Sequence, residues 1–112
     1  MMLMFQNIIS VIETHEPAKI YIEDVFDNKR NPHTFCLLSR LQGMFMYYCQ
    51  IKNLPFEIVS SSTWRSLLGF PKNYRDGYKQ LAVQYILDHY GFNASEDESD
   101  AICLGYAMLQ RK

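Results

Sequence analysis

Two short β-branched runs, residues 19–23 (Lys-Ile-Tyr-Ile-Glu) and 56–59 (Phe-Glu-Ile-Val), stand on either side of one long helical pattern. That order limits the folds open to the chain. A strand-helix-strand unit calls for parallel strands joined by a right-handed crossover, because a two-residue hairpin cannot connect them. The fold class is therefore α/β. Parallel sheets are built from several strands with both faces covered, and only these two runs read as strands. Further strands are expected from another chain or from an N-terminal part that this sequence does not contain.

The remaining elements follow from spacing. Met4, Phe5, Ile8, Ile9, Val11 and Ile12 give residues 3–15 an amphipathic helical pattern that Pro17 ends. Residues 24–32 read as a polar loop with Asn28, Asn31 and Pro32. The long helix is expected over 34–52 through Phe35, Leu38, Leu41, Phe45, Tyr48 and Ile51. Gly43 in its middle costs about 1 kcal/mol against Ala, which suggests a close approach. Ser60, Ser61 and Ser62 offer N-caps for a short helix over 63–68, stopped by Gly69 and Pro71. A helix over 75–90 carries Leu81, Val83, Ile86 and Leu87, and Gly91 ends it. One domain is expected over 1–112, in the order α-β-α-β-α-α-α.

The last helix begins at the stretch Ser95-Glu96-Asp97-Glu98-Ser99-Asp100, ahead of Ile102, Leu104, Ala107, Met108 and Leu109. Ser95 followed three residues later by Glu98 reads as a capping box. Asp97 and Asp100, three apart, project from neighbouring points of the first turn. Four acids within five residues exceed what a cap or the helix dipole needs, and they repel one another unless a cation offsets them. Hard divalent cations such as magnesium take carboxylate oxygens. The stretch is either a solvated acidic cap or one side of a cation site.

Charge is unevenly spread. Residues 1–28 hold five acids against Lys19; residues 29–79 hold eight bases against Glu57 and Asp76; residues 80–112 return to five acids against Arg111 and Lys112. A basic middle between acidic ends suits a polyanion-binding surface beside a carboxylate centre, and it equally suits two solvated faces. Cys36, Cys49 and Cys103 are odd in number without CxxC spacing, so they read as reduced thiols of a cytosolic protein. The N-terminal residues lack the basic start and cleavage site of a signal peptide, and no apolar run reaches membrane-spanning length. A cytoplasmic location is expected. His15, His33 and His89 share no catalytic or metal spacing, and Trp64 reads as core.

Several separate stretches carry a resemblance. Tyr21-Ile22-Glu23-Asp24-Val25-Phe26, Leu38-Ser39-Arg40-Leu41-Gln42-Gly43, residues 59–69 (Val-Ser-Ser-Ser-Thr-Trp-Arg-Ser-Leu-Leu-Gly), Lys79-Gln80 and Asp97-Glu98-Ser99-Asp100-Ala101-Ile102 resemble the RuvC-type Holliday junction resolvases. The likeness is greatest to their small phage and prophage relatives and is collinear over nearly the whole chain.

The resemblance implies an RNase H-like fold and a homodimer that cuts branched DNA with magnesium or manganese held by four acids. Glu23, Asp97 and Asp100 fall at three of those acids, and Lys79 at the scissile region. Phe26 matches an aromatic that stacks on a junction base. Arg65, Arg75 and Lys79 fall at phosphate-contacting positions, and the helix 34–52 falls at the dimer interface. The surplus of apolar residues on that helix (Met44, Phe45, Met46, Tyr47 and Tyr48) agrees with a second packing partner. Resolvases of this type open with a β-hairpin whose first strand supplies the fourth acid, and the likeness starts at the helix after it. The 112 residues are thus expected to bind branched DNA in a salt-dependent way and to cleave it poorly or not at all. The alternative is a non-catalytic remnant that keeps the dimer and DNA affinity.

Overall fold

The computed structural model describes residues 2–25, 31–72 and 77–111. Seven elements follow in order: α1 (Met2–His15), β1 (Ile20–Glu23), α2 (Pro32–Ile51), β2 (Phe56–Val59), α3 (Ser61–Leu67), α4 (Tyr78–Tyr90) and α5 (Glu96–Gln110). The architecture is α/β and mostly helical, with two parallel strands side by side in one sheet. The chain divides into two compact units, Met1–Ile58 and Val59–Lys112. Among the described residues no helix is long and apolar enough to cross a membrane.

In the first unit, α1 ends at His15, and Glu16 turns the chain with a left-handed φ of 47° just before Pro17. Phe5 sets its ring 5.1 Å from that of Phe45 and edge-on to Tyr48, which joins α1 to α2. β1 and β2 begin in register where the Ile20 N–H donates to the Pro55 carbonyl at 3.0 Å. Beside them Lys19 Nζ lies 3.2 Å from Glu57 Oε1.

Two expectations for α2 change. Pro32, placed in the loop by the sequence, is the start of the helix, where its missing N–H costs nothing, and the Asn31 side chain accepts from the Thr34 N–H as the cap. Gly43 marks no close approach, since a Cβ built there meets nothing within 4 Å. The interior apolar positions of α2 are shared between Phe45 and Tyr48, which face α1, and Cys49, which is buried.

In the second unit, the Ser60 hydroxyl caps α3 by accepting from the Thr63 N–H. Trp64, on α3, is fully buried, and its ring meets Phe70 edge-on at 5.8 Å. α4 stops at Gly91, whose φ of 76° only glycine adopts without strain. α5 opens with the capping box the sequence predicts: Ser95 Oγ accepts from the Glu98 N–H, and Glu98 Oε1 accepts from the Ser95 N–H.

α4 and α5 run in the same direction. Lys79 meets Asp100, the Ala82 carbonyl meets the Cys103 thiol, and Tyr85 meets Tyr106, each pair 21 residues apart. An antiparallel pair would give a constant sum of numbers rather than a constant difference. The link allows it: α4 is about 20 Å long, and the extended steps from Tyr90 to Glu96 reach about as far. Ser99, Cys103 and Ala107 line the buried face of α5 at four-residue spacing, opposite Ala82 and Ile86. Small side chains on that line let the two helices approach closely.

Candidate metal and nucleic-acid site

Parallel α4 and α5 bring their N-terminal ends together, and there the second unit collects its charge. Lys79, in the first turn of α4, places Nζ 3.7 Å from Asp97 Oδ1 and 3.7 Å from Asp100 Oδ2. The Asp97 side chain is 98% exposed and that of Asp100 only 20%. The two carboxylates therefore differ: one reaches into water, and the other sits at the edge of the helix contact. Glu98 is occupied by the capping box. Lys79 offsets the like charges on the first turn of α5, each surface contact being worth roughly 0–1 kcal/mol.

Next to Lys79, Tyr78 carries a second cation. The Arg65 guanidinium lies 4.1 Å from the centre of the Tyr78 ring and 5.3 Å from that of Trp64. Arg65 Nε is buried without a hydrogen-bond acceptor among the described residues, and the guanidinium lies over the two ring faces. Tyr78 in turn donates its hydroxyl to the Pro71 carbonyl at 2.8 Å. The last turn of α3 is thereby held to the first turn of α4, and Arg65 and Lys79 stand at the same end of this unit.

Of the residues singled out by the sequence, Lys79, Asp97, Asp100 and Arg65 belong to this end of the second unit. Glu23 is the last residue of β1 in the first unit and is half-buried. Phe26 and Arg75 lie outside the described residues. Tyr78 went unnoticed in the sequence because nothing local links it to Arg65, thirteen positions earlier. Ser99 was legible in principle, since it shares the four-residue line of Cys103 and Ala107.

Among the described residues no three or more His, Cys, Asp or Glu side chains gather as a metal-holding group. Two carboxylates still fit magnesium chemistry, since Mg²⁺ is commonly held by one or two carboxylates together with substrate phosphate and water. Asp97 and Asp100 are hard oxygen donors one helical turn apart, and the cation now shared between them is Lys79. Behind them the Cys103 thiol is pushed up to about 11, first by burial and then by the charge of Asp100, and so stays protonated. All three cysteines are unpaired, with Cys36 exposed and Cys49 and Cys103 buried. No protein-family model matches the chain, and no curated protein matches it.

Proposed function

We propose that the chain is a metal-dependent, structure-selective endonuclease of the RuvC type, with an RNase H-like fold, acting on branched DNA. The observation that carries the reading is the placement of Lys79 at 3.7 Å from both Asp97 and Asp100. Two carboxylates with a lysine between them are among the groups a metal-dependent nuclease uses at a scissile phosphate. Asp97 and Asp100 would hold magnesium or manganese, which when bound supplies positive charge to the attacking and leaving oxygens. Lys79 would contribute an ammonium beside a scissile phosphate, and Arg65 adds a second cation at the same end, kept in place by Tyr78. Glu23 enters as a third metal ligand, Phe26 and Arg75 as DNA contacts, and the homodimer as the working form, from the resemblance alone.

A second reading, a DNA-binding protein without cleavage, is favoured by one observation. Two metal-grade carboxylates are gathered where two metals bridged by carboxylates need more. The two readings share a first test. Binding of a four-way junction and of a linear duplex of equal length is measured by fluorescence anisotropy over a range of salt. Tighter binding to the junction, falling as salt rises through release of counterions, is the expected result. Equal binding to both DNAs, or none, overturns the reading. Incubation of the complex with manganese then separates nuclease from binder: slow nicking that Asp97→Asn abolishes belongs to the first reading alone.

A further inference from the structure

Lys79 stands at an unfavourable place on its own helix. α4 begins at Tyr78, its N-cap Gly77 makes no side-chain hydrogen bond, and its first turn contains no acidic residue. A cation there faces the positive pole of the helix dipole. What favours the ammonium is the neighbouring helix, whose Asp97 Oδ1 and Asp100 Oδ2 each lie 3.7 Å from Nζ. Neither contact is a hydrogen bond, because an ammonium and a carboxylate bonded in that way close to about 2.7–2.9 Å. In the first unit Lys19 comes nearer, with Nζ 3.2 Å from Glu57 Oε1, and does donate a bond. Lys79 is thus held between two carboxylates by charge, without fixed geometry.

The same two aspartates are the metal donors of the reading above. At equal distance a doubly charged ion attracts them twice as strongly as the ammonium does, and it repels the ammonium. Lys79 and a divalent cation therefore compete for these carboxylates. The loser has somewhere to go: the Lys79 side chain is 52% exposed and carries its charge on a flexible four-carbon stem. With the acids of α5 neutralised, the positive pole of α4 favours its departure into water or onto an anion.

We propose that Lys79 is a built-in counter-cation of Asp97 and Asp100, displaced by the divalent ion and thereby released to contact phosphate; this rests on the nuclease reading above. Before the metal binds, Lys79 and the two aspartates neutralise one another, and the surface offers DNA one cation fewer. Once the metal is held, the ammonium is free for the polyanion. The coupling is reciprocal, because a phosphate that draws Lys79 away also clears the carboxylates for the metal. One lysine thus makes DNA affinity depend on the metal being in place.

The test measures Mn²⁺ binding by electron paramagnetic resonance of the free ion, without DNA. Lys79→Met is expected to tighten Mn²⁺ binding about fivefold, since a competing charge is gone. Lys79→Arg, which keeps the charge, should bind as the parent does. In an Asp97→Asn, Asp100→Asn background Lys79→Met should change nothing. Duplex binding is then followed by fluorescence anisotropy over a range of salt, with and without Mg²⁺. With Mg²⁺ the slope of affinity against salt should be steeper in the parent than in Lys79→Met by about one unit, the share of one phosphate contact. Without Mg²⁺ the difference should be clearly smaller. Unchanged or weaker Mn²⁺ binding in Lys79→Met, or the same slope difference with and without Mg²⁺, would overturn the displacement. Either result would leave a metal site on Asp97 and Asp100, and the nuclease reading, standing. Absence of Mn²⁺ binding in the parent would remove both.

Discussion

Lys79 and Asp100 lie 21 residues apart in the sequence and 3.7 Å apart in space, joined across the first turns of two helices that run the same way. Because the helices are parallel, two N-terminal ends, an acidic cap and two cations share one end of the second unit. The proposed chemistry depends on this juxtaposition.

The two aspartates are expected to separate structure from function. Asp97 is almost wholly exposed, so Asp97→Asn should change stability by less than about 0.5 kcal/mol. Asp100 is mostly covered at the helix contact, so Asp100→Asn should cost about 1 kcal/mol or more. Both should remove manganese-dependent nicking. Urea unfolding followed by circular dichroism checks the first part, and junction nicking checks the second.

The cap of α5 carries the acidic turn. Replacing Ser95 by Ala removes the acceptor for the Glu98 N–H and should cost about 1 kcal/mol. The expected side effect is weaker metal and DNA binding, because the first turn that presents Asp97 and Asp100 frays. A melting curve together with a junction titration on Ser95→Ala reads both.

The local signals in the sequence were the ones that transferred to the structure. Ser95 with Glu98, Ser60 before α3, and Gly91 after α4 act through their own backbone neighbourhood, and each stands where its spacing placed it. Asn31-Pro32 followed the same kind of rule, cap then first helical residue, but was hidden by the polar run in front of it. Gly43 misled because a glycine's cost in a helix was read as a contact, and none is there. The direction of α5 along α4 could not be read from either helix. Apolar spacing gives each helix a face but not a sense, and the small line Ser99-Cys103-Ala107 says only that something comes close. For the same reason spacing paired Asp97 with Asp100, while Lys79 came into the candidate site only through the family resemblance.

The buried thiol gives a pH dependence of known sign. Cys103 rises from an ordinary 9.0 to about 11, through burial first and the Asp100 charge second. The folded state therefore keeps the proton longer than the unfolded chain does. Its contribution to stability is full below pH 9 and is lost as pH climbs from 9 to about 11. Tyr85, also raised by burial first, adds to the loss above pH 10. Stability against urea should fall over this range in the parent and fall less steeply in Cys103→Ala. An unchanged slope in the variant would assign the alkaline loss to the other groups raised by burial, Cys49, Tyr48 and Tyr85.

The most direct measurement on the proposed site is a manganese titration of the labelled chain by NMR, since the paramagnetic ion broadens amides close to where it binds. Broadening should begin at the first turn of α5, around Asp97 and Asp100, and at Lys79 in the first turn of α4. It should disappear in the Asp97→Asn, Asp100→Asn double variant. Broadening spread evenly over exposed acids, or centred away from α5 and unchanged in that variant, would contradict a metal-dependent site built on these residues.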